Sequence, residues 1–399
     1  MKICFISPCD LAVENGGRTH TLELTRNWAG FGHSVFLFSR GLKEKDNGFR
    51  YVNLPFTRKG IVSSFLFSIA SLAAFIAYHI RFRFDILFLR TSVFDFAIIG
   101  ARLLRIPVVA ELNDVPYSEA FSKEIVKESG LLRKSLLRIG RLVLKPVESL
   151  NFGISSRFVA TAPRIKEMER YPGIQHKVVF IPFGANTELF RPLNKQDCRQ
   201  ILGLSGTDKV VCFVGSFHPW QGIEDLIRGV QIARTEVPGT KLLVVGDDDR
   251  VSGKGTGLRG EMEKLGKDLG LTENLVFTGR VPYERVPIYM NASDVCVSTL
   301  RGMRSGFSPL KLFEYLACGK PVVATDVEGV SEFLKESGAG ILVPPEDPKK
   351  LAAALTKLLK DENTAEQMGE KGHRYVMQNY SWENVANMAI KTCQEAINK

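Results

Sequence analysis

Between Ser308 and Pro321 the sequence reads SPLKLFEYLACGKP. Ser308 is a good N-cap and Pro309 suits a first helical position. Gly319 and Pro321 mark the stop. A short helix therefore starts just after Gly306. Its free backbone N–H groups and positive dipole end attract an anion, with Leu310 already inside the first turn. Lys311 lies in that turn, and helical spacing puts Glu314 one turn on, on the same face. A carboxylate there can accept hydrogen bonds from a ribose diol while the helix end holds a phosphate. The same spacing also fits an ordinary Lys–Glu surface pair.

A second set of chemistry-bearing residues lies early in the chain. Glu111-Leu112-Asn113-Asp114 follows the apolar strand Pro107–Ala110, in the kind of carboxyl-end loop where α/β proteins bind ligands. Glu111, Asn113 and Asp114 can bind the hydroxyls of a ligand or position one for attack. Asn and Asp there also serve as ordinary loop caps. Arg18 and His20, just after Gly16 and Gly17, are weaker candidates, since a histidine at a helix start is usually on the surface.

The elements that must position these groups repeat. Lys2–Ser7 reads as a strand, Thr19–Gly30 as a helix and Ser34–Phe38 as the next strand, a βαβ opening. Further strands are expected at Asp85–Leu89, Pro107–Glu111 and Lys177–Ile181. After a linker at Ala185–Leu193 the pattern restarts, with strands at Lys209–Val214, Lys241–Val245, Leu275–Phe277, Val295–Ser298, Pro321–Ala324 and Gly340–Val343. The 399 residues exceed one core, so the expectation is two α/β domains. They are set at residues 1–187 and 188–378. A final helix within 379–399 is expected to pack back on the first domain.

The formal charge of +10 is uneven. Residues 1–190 hold 26 basic side chains against 16 acidic, and the remainder holds 27 of each. The first half therefore suits an anionic surface. Nucleic acid is not expected, because no recognition motif accompanies the charge. Ile61–Ile80 carries no charged residue and has nearly the length of a spanning helix. Its serines and the strand that follows argue for a helix packed on a sheet, with one face toward a membrane. The basic amphipathic stretch Leu131–Lys145 reads as a helix with a buried apolar face or a membrane-surface one. The seven cysteines form no CxxC pair and read as reduced core residues of a cytosolic protein. Gly255–Gly260 matches GxGxxG but stands several residues beyond its strand, so it is read as a loop. Asp247-Asp248-Asp249 and the six histidines do not argue for a metal site.

With these motifs in order, the chain resembles a retaining glycosyltransferase of family 4 with the GT-B fold over nearly its full length. The matching stretches include Asn15-Gly16-Gly17 with Gly32-His33, Ile181 to Asn186, Val214 to Phe217, Leu275 to Val281, Ala292 to Val295, and Glu314 to Ala324. The resemblance implies two Rossmann-like domains whose parallel sheets face across a cleft. It implies a UDP- or GDP-linked sugar as co-substrate, with no cofactor and no metal. Glu314 resembles the second glutamate of the EX7E motif, which binds the ribose. The backbone of Ser308, Pro309 and Leu310 would cradle the diphosphate, Gly16 and Gly17 would let the first domain approach the donor, and Arg280 and Val281 would face the base. Three positions depart from the pattern. Gly306 stands where the first glutamate belongs, Ser216 replaces an arginine, and Gln221 replaces a lysine. Lys311 is the preferred substitute cation, ahead of Arg280, Arg301, Arg304 and His218.

The leading expectation is a hexosyltransferase of cell-envelope glycan synthesis, cytoplasmic or peripheral on the inner membrane face, acting on a lipid-linked or polysaccharide acceptor. Two others remain open: a nucleotide-sugar epimerase, and a catalytically weak GT-B protein that only binds.

Overall fold

The computed structural model describes every residue except 44–47, 56–60, 93, 113–141, 143–145, 147–148, 162–173, 248–256, 302–309 and 399. Its chain divides into two compact units. One holds Met1–Phe183 and Trp382–Lys399, and the other Gly184–Arg304 and Pro309–Ser381.

The first unit is built on parallel strands β1 (Lys2–Asp10), β2 (Ser34–Arg40), β3 (Arg50–Asn53), β4 (Ile86–Arg90), β5 (Val108–Leu112), β6 (Arg157–Ala160) and β7 (Val178–Phe180). Their order across the sheet is β3-β2-β1-β4-β5-β6-β7. Ile3, Cys4, Phe5 and Ile6 are all buried, because helices cover both faces and both must then be apolar. On one face lies α1 (Gly16–Gly30). Its Trp28 packs on Phe5 and Phe88 with ring centroids 5.4 and 5.0 Å away. Against the other face lie α2 (Ile61–Phe82) and α3 (Phe96–Leu103). Phe67 and Phe75 of α2 join a core with Cys4, Phe36, Phe38 and Leu87.

The second unit repeats the plan with β8 (Lys209–Val214), β9 (Thr240–Val245), β10 (Leu275–Gly279), β11 (Val295–Ser298), β12 (Val322–Thr325) and β13 (Gly340–Val343). Their order is β10-β9-β8-β11-β12-β13. Helix α4 (Lys195–Leu202) precedes these strands, and between and after them come α5 (Ile223–Glu236), α6 (Leu258–Asp268), α7 (Val286–Ala292), α8 (Leu310–Ala317), α9 (Ser331–Ser337), α10 (Pro348–Lys360) and α11 (Glu362–Asn379). The last helix, α12 (Trp382–Ile397), belongs to the first unit, where the Trp28 Nε1–H donates to the Ala386 carbonyl at 3.1 Å.

In both parallel sheets the order in which the chain adds strands reverses beside the first strand, between β1 and β4 and between β8 and β11. Such a switch point opens a crevice at the carboxyl ends of the strands, where ligands bind in open α/β sheets.

Two sequence expectations need correction. Strand β5 runs through Leu112, so Glu111 lies inside it, as the strand expected at Pro107–Glu111 has it, and not in a loop after Ala110. Gly16 and Gly17 form the first turn of α1, capped by the Asn15 side chain, which accepts from the Arg18 N–H at 3.0 Å. Strands β3 and β6, short and partly polar, and helix α3 went unread. The stretch Leu131–Lys145 lies outside the described residues except for Leu142.

Candidate functional site

In the second unit, β8, β9 and β10 each end at a glycine with positive φ: Gly215 at +150°, Gly246 at +132° and Gly279 at +71°. A Cβ on Gly246 would lie 2.0 Å from the Gly215 carbonyl oxygen, so the chains can approach only without side chains. This bare backbone floor carries Ser216 just beyond Gly215, and Arg280 and Val281 just beyond Gly279.

Helix α8 brings Lys311 to the same place. The Lys311 ammonium donates to the Gln221 Oε1 at 2.6 Å and sits 4.1 Å from the centroid of the Phe213 ring. A Cβ on Gly215 would come within 3.2 Å of it. Lys311 is only 8% exposed. Burial lowers its pKa to about 7, and the nearby Glu314 carboxylate opposes the shift. A neutral amide and a ring face are weak partners for a buried ammonium, so the group is suited to meet an anion.

Glu314, also buried, accepts a hydrogen bond from the Tyr283 hydroxyl at 2.8 Å. Tyr283 stands in the 3-10 turn Tyr283–Arg285 after β10. Lys311 and Glu314 are thus not a solvated surface pair. Their nearest neighbour on α8, Tyr315, ties the helix to the sheet by accepting from the Val214 N–H at 2.8 Å. Gly306, Ser308 and Pro309 lie outside the described residues, as does Arg304; Leu310 opens α8 as described.

The other proposed cations separate clearly. Arg301 is engaged by Asp225 at 2.6 and 2.8 Å and by Glu224 at 3.1 Å, which raise its pKa and fix it in an ion-pair network. His218 stacks on Trp220, with ring centroids 5.3 Å apart. Arg280 is exposed at the end of β10. Asp247 and Arg259, each from a decoy motif, pair with each other at 3.1 Å.

The first unit's switch point holds a buried cluster. His20, from the first turns of α1, bonds through Nε2 to the Glu111 Oε2 at 2.7 Å, and both residues are almost fully buried. A surface histidine was the ordinary expectation, and the structure overturns it. The carboxylate accepts, so Nε2 carries the proton and Nδ1 keeps its lone pair. Nδ1 is buried with no hydrogen-bond partner among the described residues. Burial lowers the His20 pKa, Arg90 lowers it further, and Glu111 opposes both. The Phe183 and Trp382 rings flank the imidazole at 4.7 and 5.4 Å. Arg90 reaches within 3.7 Å of Glu111 and donates to the Gly17 carbonyl at 3.3 Å. Arg18 donates instead to the Leu11 carbonyl, anchoring its loop. Asn113 and Asp114 lie outside the described residues.

Sequence reasoning missed Tyr283 and Arg90. Both stand at or just beyond a strand's carboxyl end, and that position was their only signal.

Two family models match the chain. "Glycosyltransferase Family 4" covers residues 14–189 and "Glycosyl transferases group 1" covers residues 194–375. A GDP-mannose-dependent alpha-(1-6)-phosphatidylinositol monomannoside mannosyltransferase from Mycolicibacterium smegmatis is 30% identical over 51% of this chain and 52% of its own. The matched stretches span about half the length of the curated relatives. Among solved structures, the sucrose-phosphate synthase of Thermosynechococcus elongatus covers 100% of this chain and 99% of its own, with a TM-score of 0.78 at 23% identity. Anabaena Alr3699/HepE, in complex with UDP and glucose, covers 99% of both chains at a TM-score of 0.73 and 19% identity. These likenesses show the GT-B fold. Both models describe transferases, and the epimerase expectation finds no support among them.

Proposed function

Because the chain belongs to glycosyltransferase family 4, we propose that it moves a hexose from a UDP- or GDP-linked donor to a lipid-linked or polysaccharide acceptor of cell-envelope glycan synthesis, with retention of configuration and without a metal ion. The observation that carries this reading is the Lys311–Gln221 pair beside Gly215, on the helix that also presents Glu314.

Gln221 and Ser216 occupy positions where the family pattern has cations. Lys311 reaches over from α8 to the Gln221 amide, so one positive charge has moved from loop to helix. At that point it neutralises charge developing on a leaving diphosphate. The backbone at the start of α8 adds its dipole. Glu314, held by Tyr283, takes the ribose hydroxyls, and Arg280 and Val281 flank the base. In the first unit, Glu111 is a positioning residue that orients His20, while Asn113 and Asp114 keep the contact with acceptor hydroxyls.

The UDP bound to the Anabaena structure and the GDP-mannose named for the mycobacterial relative support a nucleoside diphosphate donor. That relative's named acceptor, a phosphatidylinositol monomannoside, supports a lipid-linked one. Seven unbridged cysteines suit a cytoplasmic location.

Calorimetric titration with UDP and GDP tests the donor site. Binding of one of them, weakened by both Lys311→Met and Glu314→Gln, is expected. Failure of both nucleotides to bind would sink the reading. Binding without donor turnover on any lipid or glycan acceptor would favour a protein that only binds. Product anomers read by NMR, with and without a chelator, test retention and metal independence.

A further inference from the structure

We infer that the outer face of α2, continued by the end of α3, is a docking surface for an anionic phospholipid bilayer. Helix α2 is apolar on the wrong side for water. Val62, Phe65, Leu66, Ile69, Ile76 and Ile80 fall on one stripe of the helix and are all exposed, Val62 at 68% and Ile80 at 67%. The opposite face, turned into the protein, carries Ser68 and Ser71 beside Phe67 and Phe75. The Ser68 hydroxyl accepts from the Phe96 N–H at 2.8 Å, and the Ser71 hydroxyl donates to the Phe67 carbonyl at 2.7 Å. Serine is thus spent on internal contacts while isoleucine faces out.

From Val62 to Ile80 the stripe is about 27 Å long. Helix α3 runs alongside in the same direction, since Phe96 meets Ser68 and a Cβ on Gly100 would touch Leu72, Phe75 and Ile76. Its end carries the stripe on through Leu103, which is 79% exposed, and Leu104.

Arginines choose the occupant. Arg81 and Arg83 close α2, and Arg102 and Arg105 close α3. All four are exposed, and none pairs with a carboxylate among the described residues. In sequence, Arg58 and Lys59 precede the other end of α2. A second copy laid face to face and parallel would set these arginines against one another. A bilayer with anionic headgroups supplies acyl chains for the stripe and phosphates for the arginines. Residues Val62–Phe82 are long and apolar enough to cross a membrane. Spanning would require pulling Phe67 and Phe75 out of the sheet core, so the helix lies on the bilayer and does not cross it.

Vesicle flotation of the full-length chain, with no sugar nucleotide present, tests this independently of the donor site. The chain is expected to float with phosphatidylglycerol–phosphatidylcholine vesicles and to bind pure phosphatidylcholine about tenfold more weakly. Raised salt weakens the binding. Ile69→Glu with Ile80→Glu is expected to lower binding at least about tenfold with an unchanged unfolding temperature, because both side chains face solvent. In parallel, Ile80→Trp should shift its fluorescence to the blue when vesicles are added. No flotation of the parent chain, undiminished flotation of the double variant, or an unshifted tryptophan would each overturn the inference. So would a dimer in solution that Ile69→Glu disperses, since the occupant would then be a second copy.

Discussion

Lys311 is where charge and burial pull against each other. Its pKa of about 7 lies well below the ordinary lysine value of 10.5. Between those values the unfolded chain holds a proton that the folded chain has released, so this residue makes the ligand-free fold more stable as pH rises from 7 toward 10. A diphosphate reverses the preference by drawing the proton back. Affinity for UDP or GDP is therefore expected to fall by about tenfold per pH unit above pH 7, as one proton is taken up on binding. Calorimetry in two buffers of different ionisation enthalpy measures that uptake. Lys311→Met should bind weakly with no pH slope, and an unchanged slope would remove Lys311 from the site. Tyr283→Phe tests the neighbouring contact by leaving Glu314 without one hydrogen bond. A loss of about 1 kcal/mol, roughly fivefold in nucleotide affinity, is expected. The loss should shrink for 2′-deoxy nucleotides if Glu314 holds the ribose.

At the scale of elements, the glycines after β8 and β9 do what no other residue can. Gly246 has φ +132°, and its Cβ would collide with the Gly215 carbonyl. Gly246→Ala is expected to cost more than about 2 kcal/mol, read as a lowered urea midpoint, because neither backbone can retreat within a paired sheet. The same elements show what the sequence disclosed. Long apolar strands such as Lys209–Val214 were legible, since burial on both faces leaves an uninterrupted apolar run. Helix α8 was legible through its stop signals and through Lys311 and Glu314. Strand β3, with the sequence RYVN at the sheet edge, carries no such run and looks like a loop. His20 misled for a different reason. Its partner is 91 residues away on another element, and a local pattern cannot reveal that a helix start points at the end of β5.

At the scale of the whole chain, the first unit is not finished by the first half of the sequence. Helix α12 returns from the far end and buries Trp382, Val385, Ala386 and Ala389. The Trp28 indole, fully buried, donates to the Ala386 carbonyl, and His20 has the Trp382 ring against it. A chain ending at Ser381 would therefore strip one wall from the His20–Glu111 cluster and uncover apolar surface on α1, while the Lys311–Gln221 and Tyr283–Glu314 hydrogen bonds keep both their members. Truncation is expected to destabilise the first unit by several kcal/mol, since each large buried side chain lost is worth roughly 2 kcal/mol. Calorimetric unfolding should then show an early transition for the first unit and a late one little changed for the second. Nucleotide affinity that survives truncation would locate the donor contacts in the second unit. Its loss together with the early transition would mean that the second unit depends on the first.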